Sequence, residues 1–114
     1  MSRIKIQEVL ETVCKVDITQ RLKSKIKQDT LSIQKRGNLS SLDNSLAGWD
    51  NWIIYVYSPN GTVKLDELVK NVRKTLIQND IEVTHELGQE FYDEILCCYF
   101  TTISCRTPSI YDFY

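Results

Sequence analysis

The chain has 114 residues, of which 42% are hydrophobic and 25% charged, and its formal net charge is −1. This length and composition are typical of one globular domain, here spanning residues 1–114. The longest apolar stretch, Trp52–Tyr57, is far too short to span a bilayer, and the first residues lack the apolar segment of a secretory signal. We therefore expect a protein that is made and kept in a cytoplasm and does not enter membranes.

Charge is divided unevenly along the chain. Residues 1–37 carry nine Lys/Arg and four Asp/Glu, a net charge of +5, whereas residues 38–114 carry five and eleven, a net charge of −6. Molecules with oppositely charged parts attract copies of themselves head to tail, and such contacts close into rings when the rotation fits. The alternative is a solvated surface on which these charges are simply scattered.

The first predicted elements are a short amphipathic helix and a strand. Apolar residues recur at helical spacing from Ile6 to Cys14. Residues 16–28 fit a helix by their apolar spacing and a strand by their alternating basic residues, so both assignments stay open. Thr30–Lys35 alternates as a half-buried strand does and is expected to end near Gly37.

A long polar loop and the most regular segments of the chain come next. Residues 38–51 are rich in Ser, Asn, Asp and Gly, and structureless loops of that length are usually functional or mobile. Trp52–Tyr57 predicts a buried strand that is apolar on both faces. Residues 64–78 predict a helix with Asp66 and Glu67 in its first turn and basic residues towards its end, as the helix dipole favours. Its apolar stripe consists of Leu65, Leu68, Val69, Val72, Leu76 and Ile77.

The remaining segments predict two more strands. Ile81–His85 alternates, residues 86–92 form a turn, and Glu94–Cys105 is one long apolar ladder. Twelve extended residues span about 40 Å, roughly twice a typical strand, so the ladder must bend sharply or extend onto another molecule. Together the elements predict an α+β fold, with a twisted, mainly antiparallel sheet of about four strands and helices packed against it.

The four cysteines are expected to be reduced thiols that behave as small apolar residues. Cys97 and Cys98 are adjacent and would face opposite sides of a strand. Cys105 would lie about 27 Å from Cys97 in an extended strand, too far for a disulfide. The single histidine, His85, has no ligand partner at metal spacing, and thiolates are disfavoured among apolar neighbours.

Other chemically suggestive groups have a simpler structural explanation. A carboxylate cluster would suit a hard metal or an acid–base pair, but it falls where a charged hairpin turn is commoner. The basic run 21–27 with Trp49 and Trp52 would suit nucleic acid, yet acidic residues flank both tryptophans, so dedicated recognition is not favoured. The carboxylates are Glu86, Glu90, Asp93 and Glu94. We therefore expect no catalytic site, no cofactor and no metal.

The segment after Pro108 is rich in large apolar side chains. Left free, it would expose an aromatic surface that soluble monomers avoid, so it is expected to dock either on its own domain or on a neighbouring subunit. The residues expected at a subunit or partner interface are Leu42, Leu46, Trp49, Trp52, Arg106, Ile110, Tyr111, Phe113 and Tyr114.

The order of these features resembles the small tail-terminator, or tail-completion, proteins of tailed bacteriophages and phage-like particles. A short first helix precedes a strand that ends in Ile33–Gly37, and the long polar loop leads to a strand that closes as Ile54–Ser58. The helix Leu65–Leu76 and an acidic turn before Tyr99–Pro108 complete the layout. The resemblance is one of layout and local sequence and is clearest over residues 29–108.

The resemblance implies a ring, usually a hexamer, that caps the head-proximal end of a tail tube, stops its growth and receives the head connector. The implied partners are copies of the chain itself, the tail tube, the sheath where there is one, and the head-connector or completion protein, with DNA only as passing cargo. It also implies helices on a twisted sheet, no cofactor and no catalysis, and a place in the virion tail after assembly in the host cytoplasm. The long ladder would suit addition to a neighbour's sheet.

Two other functions remain open. One is a neighbouring virion part, such as a head-completion or connector-adaptor protein, whose sequence requirements are similar. The other is a small cytoplasmic α+β module for binding or regulation. An enzyme ranks last.

Overall fold

The computed structural model describes residues 3–17, 25–35, 49–84 and 88–108. In this part of the chain, two helices and one mixed sheet of six strands form an α+β fold. The elements are α1 (Arg3–Glu11), β1 (Lys15–Asp17), β2 (Thr30–Lys35), β3 (Trp49–Ser58), α2 (Thr62–Gln78), β4 (Glu82–Val83), β5 (Phe91–Asp93) and β6 (Cys98–Pro108).

The strands lie in the order β1-β2-β3-β6-β4, and β5 also pairs with β6. β1 and β2 are parallel, whereas the other four pairings are antiparallel. The sheet is therefore mainly antiparallel, as expected, but it has six strands and not about four. The two additional strands, β1 and β5, have only three residues each, too few to produce a recognisable periodicity in the sequence. β4 lies within the predicted strand Ile81–His85 but has only two residues.

The long apolar ladder is displaced from its predicted position and is central in the sheet. Residues 94–97 form a turn, in which Cys97 has φ 53°, and β6 begins at Cys98. β3 pairs with one edge of β6 over ten residues, and β4 and β5 pair with its other edge. The length of β6 is thus used within its own sheet, and the expectation that this strand would offer a free edge for strand addition is wrong.

β3 is longer than the apolar run from which it was predicted. It begins at Trp49, so the last three residues of the expected loop 38–51 are extended. Asp50 lies opposite Thr107, and its carboxylate is 3.6 Å from the Nζ atom of Lys35 on β2. Pairing on both sides of β3 overrides the weak strand propensity of Asp and Asn. The rest of that loop lies outside the described residues.

α1 agrees with its prediction over two turns and is shorter at its end. Ile6 and Leu10 are fully buried beneath it. The helix ends at Glu11, and Val13 and Cys14 follow it while still packing against the core. In the residues that the structure describes, no helix is long and apolar enough to cross a membrane.

α2 begins two residues earlier than predicted, directly after Gly61. Gly61 has φ 98° and ψ 173°, a conformation that is essentially restricted to glycine. Because of the earlier start, Asp66 and Glu67 fall outside the first turn, which has no acidic residue, and the last turn has no basic residue. The expected match of charges to the helix dipole is therefore wrong. Ile77, predicted in the apolar stripe, is 59% exposed.

Both helices pack on one face of the sheet. Along β3, Trp52, Ile54 and Val56 point into this layer, and the intervening side chains point to the other face. The buried side chains of the core are Ile6, Leu10, Leu31, Trp52, Ile54, Val56, Leu65, Leu68, Val72, Leu76, Ile81, Ile103 and Cys105.

Candidate interaction surface

A row of four aromatic rings crosses the face of the sheet opposite the two helices. Tyr57 on β3 lies opposite Phe100 on β6, which in turn lies opposite Phe91 on β5. The ring centroids are 5.5 Å apart in both pairs, and Tyr55 continues the row at 6.3 Å from Tyr57. Aromatic pairs at such distances contribute about 0.5–1.5 kcal/mol beyond the area they bury. The rings thus form one continuous apolar surface.

The row ends in an exposed apolar segment on β5 and the turn after it. Phe91 is 50% exposed, Tyr92 53% and Ile95 73%. The ring of Tyr92 meets that of Tyr99 edge to face, with centroids 5.0 Å apart. Tyr92 and Tyr99 alternate with Phe91 and Phe100, so they lie on the face that the helices cover, where Tyr99 packs against the core. We call the surface on the opposite face, together with the turn after β5, the aromatic end of the sheet, and it consists of Tyr55, Tyr57, Phe91, Ile95 and Phe100.

Hydrogen bonds hold the turn that carries the exposed side chains. The N–H of Leu96 donates to the Asp93 carboxylate at 2.9 Å, and the N–H of Ile26 donates to the carbonyl of Leu96 at 2.9 Å. Ile26, Leu96 and Cys98 form a small buried cluster against which Tyr57 packs. The aromatic end therefore rests on an ordered backbone and on a second, smaller core.

Tyr57 presents a neutral phenol to this surface. Burial raises the pKa of Tyr57 to about 12, and the neighbouring Tyr55, Cys98 and Asp93 add to the effect. The ring therefore stays uncharged at any physiological pH and is suited to apolar contacts.

A basic groove adjoins the aromatic end. It has a volume of about 340 Å³ and is lined by Lys15, Asp17, Lys25, Ile26, Lys27, Gln28 and Thr30. Ile26 links the two features, because it lines the groove and also belongs to the cluster beneath Tyr57. Lys15, Lys25 and Lys27 form no ion pair with a described residue. The groove therefore favours an acidic group on any molecule that covers the neighbouring rings.

Of the carboxylates singled out in the sequence, the three that the structure describes, Glu90, Asp93 and Glu94, do not form a metal site. Asp93 accepts the hydrogen bond from Leu96, and a hydrogen bond with Asp66 raises the pKa of the exposed Glu90 carboxyl. Glu86 and His85 lie outside the described residues. Within the described ranges, no group of three or more His, Cys, Asp or Glu residues is placed to hold a metal ion.

All four cysteines are free. Cys98 and Cys105 are buried, and burial raises the pKa of Cys98 to about 11 and that of Cys105 to about 12. For these two residues the expectation of apolar, unreactive thiols is confirmed. Cys97 and Cys98 do not face opposite sides of a strand, because Cys97 belongs to the turn.

The expected interface residues are placed in different surroundings. Trp52 is only 3% exposed, and its indole N–H donates to the Thr107 hydroxyl at 3.0 Å, so it is a core residue with almost no surface for a partner. Arg106 is half-buried at the sheet surface, where it pairs with Glu82 at 2.8 Å. Trp49 begins β3, with its backbone opposite Pro108. The others, Leu42, Leu46, Ile110, Tyr111, Phe113 and Tyr114, lie outside the described residues.

The aromatic end was not among the sites expected from the sequence, although one signal for it is present. In β3, the apolar residues Ile53, Tyr55 and Tyr57 alternate with the core residues. When a strand is apolar on both faces, each face has to pack against other apolar groups. Both described helices pack on the same face of β3, so the face with Tyr55 and Tyr57 is left for another apolar partner.

No protein-family model matches the chain. No curated protein matches it either. The resemblance to tail-terminator proteins accordingly stays a prediction from the layout of the sequence.

Proposed function

We propose that this protein is a structural assembly subunit that forms a homo-oligomeric ring at the head-proximal end of a phage or phage-like tail tube. The observation that carries the proposal of self-assembly is the aromatic end, where Phe91 and Ile95 are each at least half exposed within five residues. Concentrated apolar surface of this kind marks interaction sites, and aromatic residues are enriched at the centres of interfaces. The place on a tail tube rests on the resemblance in layout.

The strand order supports contacts of the head-to-tail type. β1 and β2, from the basic part of the chain, lie on one side of the sheet, whereas β4 and β5, from the acidic part, lie on the other. Neighbours placed side by side would bring opposite charges together, which favours one orientation over others. A repeated contact between two different surfaces closes into a ring when the rotation fits.

In the proposed role the ring, a hexamer by the same resemblance, stops tube growth and receives the head connector. Sheath protein is a further partner in contractile tails, and DNA passes through the lumen as cargo. The subunit works by shape and contact and carries no cofactor or catalytic site. Assembly takes place in the host cytoplasm, and the finished ring belongs to the virion tail.

Native mass measurement and electron microscopy test this proposal. Purified protein should form rings of fixed copy number, and mixing with tail tubes should give tubes capped at one end. The double substitution Phe91→Ser/Ile95→Ser should abolish the rings, since it removes exposed apolar surface. Ile77→Ser, at an equally exposed apolar position on α2, is the matched control and should leave them intact. A protein that stays monomeric and ignores tubes would contradict the proposal.

Gene deletion separates tail termination from head completion. Loss of a terminator gives tails of irregular length, whereas loss of a head-completion protein leaves normal tails and leaky heads. A binding or regulatory module would instead remain a folded monomer in every one of these experiments.

A further inference from the structure

The aromatic end and the apolar residues that follow β6 are suited to each other. We propose that residues 110–114 of one copy dock on the aromatic end of a second copy. This inference rests on the proposed function, because it specifies which surfaces join neighbouring subunits. It assigns a donor segment after Pro108 and a receiving surface around Phe100.

The reach of the chain excludes the same contact within one molecule. Pro108 and Phe100 are eight residues apart in the continuous strand β6, a separation of about 26 Å at about 3.3 Å per residue. Tyr114 follows Pro108 by six residues, so it lies at most about 21 Å from it, and Ile110 lies within about 7 Å. Residues 110–114 therefore cannot cover the aromatic end of their own chain as a group.

The chemistry of the two surfaces is complementary. Residues 110–114 read Ile-Tyr-Asp-Phe-Tyr, so four large apolar side chains surround a single carboxylate. In the proposed contact the rings of Tyr111 and Phe113 stack on the row of rings. Asp112 is the acidic group that the adjoining groove with Lys25 and Lys27 favours. The docked segment would thus contact both the rings and the lysines of the receiving surface.

The two surfaces lie at opposite ends of β6. Each copy can therefore donate its segment to one neighbour and receive a segment from another, and the same contact repeats around a ring.

Photochemical crosslinking in the full-length protein tests the inference. We would place benzoylphenylalanine at Phe113, mix this protein with unsubstituted chains grown on heavy isotopes, irradiate, and map the adducts by mass spectrometry. Adducts between light and heavy chains within residues 91–100 are expected. Benzoylphenylalanine at the exposed Ile77 of α2 is the matched control and should not label that segment.

The outcomes separate this inference from the proposed function. Adducts confined to a single chain of an intact oligomer, or light–heavy adducts elsewhere on it, would contradict the docking inference. They would not contradict the proposed ring. A monomer without any light–heavy adducts would overturn both. Light–heavy adducts within residues 91–100 on a species that is only a dimer would support the docking and contradict the ring.

A double-substitution cycle gives an independent test. Phe91→Ser and Tyr111→Ser should each lower the association constant at least tenfold, with the circular dichroism spectrum unchanged. The combined variant should be little weaker than either single variant, because both substitutions break the same contact. Fully additive losses would show that the two residues belong to separate contacts and would overturn the inference.

Discussion

Gly88 approaches β6 so closely that a methyl group on its Cα would lie 2.5 Å from the carbonyl oxygen of Thr102 and 2.7 Å from the Thr101 hydroxyl. The carbonyl belongs to a strand that is paired with β3 from Tyr99 to Pro108, so moving the carbonyl aside would disturb this pairing. We expect Gly88→Ala to lower the free energy of unfolding by about 1–3 kcal/mol, since crowding a packed site costs this much. Urea denaturation followed by circular dichroism measures the change.

Gln89→Ala is the control for this prediction. Gln89 is the exposed neighbour of Gly88, and its truncation should change the free energy of unfolding by less than about 0.5 kcal/mol. If Gly88→Ala also left the free energy of unfolding unchanged, the segment between β4 and β5 would have to move away from β6 without cost, which would contradict the prediction.

Trp52 and Thr107 supply a second prediction, because they share a buried hydrogen bond of 3.0 Å. Thr107→Val keeps the shape of the side chain and leaves the indole N–H without an acceptor inside the core. We expect the free energy of unfolding to fall by about 1–3 kcal/mol, the usual cost of an unsatisfied buried donor. Thr102→Val, on the half-buried opposite face of the same strand, should cost much less. Equal effects of the two valines would show that the hydrogen bond contributes nothing.

Elements with strict periodicity were predictable from the sequence. β2 spans Thr30–Lys35, as its alternation predicted, and α2 spans Thr62–Gln78 against a predicted 64–78. In α2 the buried side chains repeat at the helical period, so the pattern predicts the element and its end. In β2 the residues Thr30–Ser32 are all buried, so its bounds follow from the alternation of residue types and not from alternating burial.

The turn at residues 94–97 was hidden within an apolar run. Leu96 is buried and Cys97 is half-buried, so hydropathy gives no sign that the backbone reverses there. The turn depends on the Asp93 carboxylate, which accepts the N–H of Leu96, and on the left-handed backbone of Cys97. Such local geometry has no counterpart in a periodic pattern.

The aromatic end depends on register, which the sequence does not contain. Tyr57 and Phe100 become neighbours only because β3 and β6 pair with this alignment, and a shift of one residue would turn one of the rings to the other face. Of the expected interface residues, Trp52 was misjudged because a tryptophan at the end of an apolar run is equally typical of a core and of an interface.

The end of α2 yields a stabilising substitution. Asp80 has φ 61°, and the N–H of Ile81 donates to the carbonyl of Leu76 at 3.0 Å, as in a helix that ends with a left-handed residue. Glycine adopts this conformation without steric cost, so Asp80→Gly should raise the free energy of unfolding by about 0.5–1 kcal/mol. Thermal and urea denaturation check this value.

Lys70→Gly is the matched control for the glycine substitution. Lys70 is an exposed residue within α2, where glycine should lower the free energy of unfolding by about 1 kcal/mol. A loss of stability at both positions would contradict the assigned role of Asp80.

Burial of two thiols predicts how stability depends on alkaline pH. The pKa of Cys98 is raised from 9.0 to about 11 and that of Cys105 from 9.0 to about 12, in both cases chiefly by burial. Above pH 9 the unfolded chain loses these protons while the native protein retains them. Because the unfolded state then binds fewer protons, the free energy of unfolding should fall as the pH rises from about 9 towards 11.

Urea denaturation under reducing conditions between pH 7 and 10.5 measures this dependence. The variant Cys98→Ala/Cys105→Ala should be less stable at pH 7, because it loses buried side-chain atoms, but its stability should fall less steeply above pH 9. Cys97→Ala, which alters the half-buried cysteine of the turn before β6, is the comparison. Parallel curves for the parent and the first variant would mean that the buried thiols ionise as readily in the folded protein as in the unfolded chain, which the tight packing of Cys98 and Cys105 should prevent.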